Sequence, residues 1–403
     1  MTKLAEKRVI RDPIHGYIHI DEQVIWDCIN TKEFQRLRRV RQLGATLMVF
    51  PSGEHSRATH SLGVYEVAHR MITEVDEIKD RLTEHEKIVV LVAALLHDIG
   101  HAPFSHSFES IMSRKHEYYT TQIIRGPSEI ADVLRKEDPG LPEEVASVIE
   151  HTHPNPILHQ LITSQLDADR LDYLLRDSYF TGTSYGQVDL DRLLRTMRIA
   201  GNKVCMKASS MYTVENYIMA RYHMYWQVYY HANSRSFDSI LKSLFIRLKD
   251  LNDAKDPIIR QFPMYRNMFD HEPLTNEEYF MLDDSTCMYS FSLMRNCEDI
   301  VLSDLARRIM DRDLFEVAPA KREAELIEKC KAKGLDPRYY VVKDQMQQVP
   351  YQPYKGDSGE NIWVLESDGR VEELSKVSKV VEALSKIDER VERLFCPREL
   401  LDD

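Results

Sequence analysis

The chain has 403 residues, 43% hydrophobic and 29% charged, with a formal net charge of -12 and no apolar run approaching the ~20 residues of a bilayer-spanning helix. These values describe a soluble globular protein with ample material for a core, and the acidic balance disfavours nucleic-acid binding by the surface as a whole, leaving only local basic patches. Six scattered cysteines without Cys-x-x-Cys spacing, and no signal-peptide h-region, predict a cytoplasmic setting and exclude a disulfide scaffold or zinc ribbon.

Residues 9–20 predict a hairpin about Pro-Ile-His-Gly. Segments 22–30 and 31–43 read as helices, the second capped by Thr31, with Phe34, Leu37 and Val40 on one face. Arg36, Arg38, Arg39 and Arg41 fill much of the remainder, a pattern that suits either a solvated face or an anion site. His60 opens the next helix. The apolar run 88–96 reads as a central helix ending on His97-Asp98, and Pro103 fits the first turn of a short helix. Helices over 116–124 and 142–150 follow.

Between 165 and 177, Asp169, Asp172, Tyr173 and Arg176 recur at i, i+3, i+4 and i+7, a polar stripe opposite Leu171, Leu174 and Leu175. Gly201-Asn202 reads as a hairpin turn. One long aromatic-rich helix is predicted over 211–232 and another over 236–251. Beyond about 255, Pro- and Asp-rich joints separate short helices, including 298–310 and 321–333. Strand 339–343 and a Ser367-Asp368-Gly369 turn predict a small mixed sheet. The expected fold is mainly α: an N-terminal hairpin with helices (1–50), a helical catalytic bundle (51–250) and a smaller α+β lobe (251–403).

His97-Asp98 carries the chemistry. Burying imidazole and carboxylate is costly without a partner, which is either a hydrogen-bonded core or a metal ion. Adjacent helical side chains diverge by about 100°, so further ligands must come from elsewhere. His60, beside Arg57, and Asp169, on the polar stripe, are candidates that spacing alone does not single out.

The set Arg57-x-x-His60-Ser61-Leu62-Gly63-Val64, His97-Asp98-Ile99-Gly100-His101-Ala102-Pro103-Phe104-Ser105-His106 and Asp167-Ala168-Asp169-Arg170-Leu171-Asp172-Tyr173 resembles the HD-domain phosphohydrolase superfamily. With Asp12-Pro13-Ile14-His15-Gly16, Phe34-Gln35-Arg36-Leu37-Arg38 and Gln42-Leu43-Gly44, it is similar to the deoxynucleoside triphosphate triphosphohydrolases, both bacterial dGTPase-like and vertebrate sterile-alpha-motif-and-HD-domain types. The match spans roughly residues 8–250.

The resemblance implies His60, His97, Asp98 and Asp169 as ligands of a divalent metal, a nitrogen–oxygen set suited to Mn, Fe, Mg, Zn or Ni. It implies hydrolysis of a dNTP to deoxynucleoside and inorganic triphosphate, with His116 as proton donor, Glu109 as its partner (Asp in relatives), and His101 and His106 flanking the phosphates. Arg57, Arg170 and Arg221 correspond to phosphate contacts, and Gln42, Tyr173, Asp177 and Tyr229 to the deoxyribose site. An activating nucleotide, dGTP, GTP or another dNTP, is expected between subunits of a homotetramer or homodimer, at Arg8, Val9, Asn30, Gln35, Arg38, Arg192 and Lys207. Asn30 stands where guanine-sensing relatives have Asp, and one amide oxygen accepts less well from guanine's edge than a carboxylate. Competing expectations are another HD phosphohydrolase, acting on nucleoside monophosphates or cyclic nucleotides, and a regulator that binds nucleotide or single-stranded nucleic acid.

Overall fold

The computed structural model describes residues 2–402 except 105, 110, 113, 272 and 353–360, and omits the side chains of 106 and 107. The N-terminal hairpin pairs β1 (Lys3–Asp12) with β2 (Gly16–Glu22), antiparallel, and its Ile18 and Ile20 are fully buried. Helix α1 (Gln23–Ile29) follows directly. Thr31 caps α2 (Lys32–Arg36) by accepting from the Phe34 amide. The expected helix over 31–43 is therefore short. After a 3₁₀ turn at Leu37–Arg39 the chain extends at Val40, and Arg41 bridges to Ser56. Hydrogen bonds from Gln42 N to His55 O (3.0 Å) and Arg57 N to Val40 O (2.8 Å) place Gln42 and Arg57 side by side.

The central layer is α3 (Arg57–Glu74), which sets His60 in its first turn, α4 (Asp76–Arg81) and α5 (Glu84–Leu96). A Thr83/Glu86 capping box starts α5, and every residue from Ile88 to Leu96 is buried. His97 is its C-cap. Pro103 lies in a turn ahead of α6 (His106–Glu109) and not in that helix's first turn as expected. Around this layer lie α7 (His116–Arg125), α8 (Glu129–Glu137), α9 (Leu141–Ile149) and α10 (Pro156–Ile162). Asp167 caps α11 (Ala168–Thr181), which ends on Gly182 in the left-handed region, φ +70°.

Two glycines let helices approach the site. A Cβ on Gly63 would lie 1.9 Å from Asp172 Oδ1, so α3 meets α11 only because that position has no side chain. A Cβ on Gly100 would lie 2.2 Å from Thr120 N, which fixes the turn after Asp98 against α7.

After α12 (Leu190–Thr196) comes the β3–β4 hairpin (Met197–Ala200, Lys203–Lys207) turning at Gly201-Asn202. The expected single helix over 211–232 is instead α13 (Met211–Met224), a π-helical turn at Tyr225–Tyr229 and the start of α14 (Ala232–Asp253). One extra residue in the turn rotates Tyr229 and Tyr230 towards a cavity, a local device that side-chain periodicity does not reveal.

In the C-terminal region β5 (Glu316–Pro319), β9 (Glu389–Cys396) and β6 (Val342–Gln348) form an antiparallel sheet in that order. Tyr339 and Tyr340, expected in the strand, lie in a helical turn (Pro337–Tyr340) before it. β7 (Trp363–Leu365) and β8 (Val371–Glu373) extend the β3–β4 hairpin, with β4 and β7 parallel, giving the expected mixed sheet. One sheet thus joins residues from both sides of residue 250, and one hydrophobic cluster runs through both.

Candidate metal centre and substrate cavity

His60 from α3, His97 at the end of α5 and Asp169 in the first turn of α11 converge. Their donor atoms all lie within 4.8 Å of one another. Asp169 Oδ1 is 3.0 Å from His60 Nε2 and 3.7 Å from His97 Nε2. Both Nε2 atoms are buried without a hydrogen-bond partner among the described residues. Their Nδ1 atoms are engaged, in His60 with Asp172 Oδ2 (2.7 Å) and in His97 with Ala94 O (2.9 Å). Each Nδ1 faces an acceptor and so donates, which leaves Nε2 as the atom that could offer a lone pair to a metal. Asp98 closes the set, with Oδ1 3.4 Å from His97 Nε2 and Oδ2 3.8 Å from His60 Nε2. The two imidazoles and the Asp169 carboxylate fit a divalent cation, with Asp98 alongside them and also grouped with His101 and His116.

Electrostatics agree with this fit. Burial alone would raise the Asp98 and Asp169 carboxyls. His97, His101 and Arg57 instead hold Asp98 well below the usual range, and contacts with His60 and His97 hold Asp169 below it. Against its own burial, His60 is drawn up to about 10 by Asp169 and Asp172. The negative field that would protonate His60 is one a cation can occupy instead.

On the other side of Asp98 stands a second group. His101 Nε2 is 3.3 Å from Asp98 Oδ1, and the His101 ring stacks on His116 at 3.7 Å. His116 Nδ1 lies 2.5 Å from Glu109 Oε1. Burial, then the charge of Arg57, holds His101 well below the usual imidazole range. The His106 side chain lies outside the described residues.

Arg57 links this chemistry to a cavity of about 460 Å³. Its guanidinium hydrogen-bonds Asp98, and it lines the cavity with Gln42, Thr46, Tyr173, Asp177 and Tyr229. Tyr229 donates to Asp177 Oδ2 (2.8 Å), whose other oxygen pairs with His55 Nε2 (2.8 Å). Arg170 and Arg221 lie close enough to Tyr173 for their charges to act on its hydroxyl. Arg170 is 3.4 Å from Asp167, and among the described residues Arg170 Nη1 and Arg221 Nε are buried without hydrogen bonds.

Several site residues escaped the sequence. Arg36, one of the four arginines read as a solvated face or anion site, is fully buried and donates to the carbonyls of His101 (2.9 Å) and Leu282 (3.0 Å). Asp284 accepts from Arg41 N (2.9 Å) and Phe104 N (3.1 Å), tying two cavity-side loops, and burial pushes it up to about 6. His55 had no distinguishing signal. Arg235, Asp238, Gln345 and Met346 line the cavity from α14 and β6. Asp172 and Arg176, half of the predicted polar stripe, are wholly buried.

The effector candidates divide in two. Arg8 lies over the Trp26 ring at 5.8 Å, beside exposed Val9. Asn30 donates to Trp26 O (2.7 Å), and Gln35 donates to Ile29 O while accepting from Arg38. Arg192 instead hydrogen-bonds Thr213 and Ser209 O, and Lys207 is exposed at the end of β4.

A family model described as the HD domain matches residues 57–177, and one described as an HD associated region matches 188–262. The chain is 44% identical to the uncharacterized protein YwfO of Bacillus subtilis over 410 residues, covering 100% of this chain and 94% of that one. This chain belongs to the HD-domain phosphohydrolase superfamily. The matched HD segment opens at Arg57 and closes at Asp177, so it contains the whole donor set. A deoxynucleoside triphosphate triphosphohydrolase SAMHD1 homolog of Dictyostelium discoideum is 31% identical over 273 residues, 62% of this chain and 52% of that protein. The crystal structure of a phosphohydrolase from Bacteroides thetaiotaomicron superposes with a TM-score of 0.83 at 27% identity, covering 98% of this chain and 100% of that one. Among the described residues, no helix is long and apolar enough to cross a membrane.

Proposed function

We propose that this HD protein hydrolyses deoxynucleoside triphosphates to the deoxynucleoside and inorganic triphosphate. The observation that carries the reading is Arg57, which hydrogen-bonds Asp98 and lines the cavity holding Tyr173, Asp177 and Tyr229. A triphosphate held there would lie between the donor set and the arginines, with its sugar against the tyrosines. The similarity to the Dictyostelium triphosphohydrolase supports the same substrate class.

A divalent ion held by His60, His97, Asp98 and Asp169, whether Mn, Fe, Mg, Zn or Ni, would supply charge neutralisation and a water of lowered pKa. The residues do the rest. Water attacks the α-phosphorus, the bond to the 5′ oxygen breaks, and the three phosphates leave as one unit. Glu109 orients His116 to give the departing 5′ oxygen a proton. Arg57, Arg170 and Arg221 would grip phosphate oxygens, a role favoured by Arg170 Nη1 and Arg221 Nε, which are buried without hydrogen bonds among the described residues. Asp177, held from both sides by His55 and Tyr229, would offer an acceptor to the 3′-hydroxyl, and the Tyr173 ring on the same cavity would disfavour a 2′-hydroxyl sterically.

Arg8, Val9, Asn30, Gln35 and Arg38, with Arg192 and Lys207 supplied by another subunit, would bind an activating nucleotide in a homo-oligomer. The test is to incubate the protein with each dNTP and Mn or Mg, with and without dGTP or GTP, and to resolve triphosphate from orthophosphate. Inorganic triphosphate is the expected product. Orthophosphate alone would favour a nucleotidase, and a full rate for dATP without guanine nucleotide would remove the activation.

A further inference from the structure

The tip of the N-terminal hairpin is wired to the ring of His60. The Asp172 carboxylate, fully buried, receives four hydrogen bonds. His60 Nδ1 (2.7 Å) and Arg176 Nε (2.9 Å) reach Oδ2, while His15 Nε2 (2.6 Å) and Arg176 Nη2 (2.8 Å) reach Oδ1. Four donors saturate a carboxylate's lone pairs, so Asp172 is fixed in plane and rotation. Arg176 presents its other edge to Asp12, with Nη1 2.8 Å from Oδ2 and Nη2 3.3 Å from Oδ1. Asp12 Oδ1 also accepts from the amides of Ile14 (2.9 Å) and His15 (3.0 Å). The carboxylate that grips Arg176 therefore also shapes the turn that delivers His15.

Docking the hairpin does not need this chain of polar groups, since Ile18 and Ile20 already bury its inner face. Burying Asp12, Arg176 and Asp172 together is expensive, and such networks are better at fixing position than at adding stability. What they fix here is His60. As an acceptor-only partner, Asp172 keeps the proton on Nδ1 and points Nε2 at Asp169.

We propose that Asp12 and His15 are positioning residues of the metal centre: by holding the Arg176–Asp172 pair they set the tautomer and angle of His60, so that metal retention depends on a docked hairpin. This rests on reading His60 as a metal ligand. It makes the second half of β1 a strut between the centre and Arg8 and Val9, about 10–14 Å along the strand.

The experiment measures binding of manganese(II) alone to the full chain, by the paramagnetic resonance of the free ion, alongside thermal melts of the metal-free protein. His15→Leu and Asp12→Asn are expected to weaken manganese binding about 10–100-fold, the usual scale for a ligand's supporting partner. His15→Gln, whose amide can donate from nearly the position of Nε2, is expected to restore most of it. In cobalt(II)-loaded protein, His15→Leu should shift the visible absorption bands, which a purely structural role would not move. Wild-type affinity in folded His15→Leu and Asp12→Asn, even with lowered melting temperatures, would overturn the proposal. Equal manganese binding by wild type and His60→Ala would overturn the ligand reading beneath it, and the two failures are told apart by that control.

Discussion

His116 and Glu109 meet at 2.5 Å, and the His116 ring lies face to face with that of His101. A carboxylate bonded to Nδ1 leaves Nε2 as the free edge of the ring, and orients that edge without a flexible linker. If this pair protonates the leaving oxygen, His116→Gln and Glu109→Gln should each lower kcat by about 10²–10⁴-fold. Manganese content, measured by elemental analysis, should stay at the wild-type level. Unchanged turnover in both variants would assign the proton to another group.

Asp169→Asn should behave differently. An amide in place of that carboxylate removes one anionic donor from between His60 and His97. Metal content and activity should fall together, and added manganese at high concentration should recover part of the rate. The same comparison for His97→Ala should give a larger and unrecoverable loss.

Gly63→Ala tests the approach of α3 to α11. The added methyl would meet the Asp172 carboxylate and the Arg176 guanidinium, neither of which has room to move in its saturated network. A cost of about 3 kcal/mol is expected, at the upper end of ordinary overpacking, read from denaturant unfolding.

A pH effect is also expected from a group outside the proposed catalytic set. Burial, with smaller contributions from His151 and His153, lowers His159 from 6.5 to about 4, and its ring stacks on His151 at 4.8 Å. The unfolded chain binds a proton at His159 below about 6.5 and the folded chain only near 4. This group's contribution is therefore intact above pH 6.5 and is lost as pH falls through that window. His159→Phe should reduce the drop in melting temperature between pH 7 and pH 5, and an identical drop would remove His159 from the account.

What the sequence shows and what it hides follow from range. Thr31, the Gly201-Asn202 turn and the ending of an apolar helix on His97-Asp98 are local signals, and each is found in the fold. The quartet becomes visible only through its resemblance to a family, because His60 and Asp169 come from helices separated by more than a hundred residues. Arg36 reads as part of a solvated face or an anion site because its acceptor Leu282 is 246 residues away. The π turn at Tyr225–Tyr229 hides for another reason: the aromatic pattern is equally good helix on either side of it. Asp172 was in plain view on the polar stripe, yet its role as a support for His60 depends on His15, which lies 157 residues away.

That separation bears on the order in which the chain acquires its parts. The hairpin is made before its partner Asp172, which follows His15 by 157 residues. Closing so long a loop is slow compared with forming any of the helices. The ligand cage is thus completed by a late, long-range event, and a cation that prefers the finished cage would latch the two ends together. Loading with metal during refolding should then appear as a late kinetic phase, after most of the helical signal has returned.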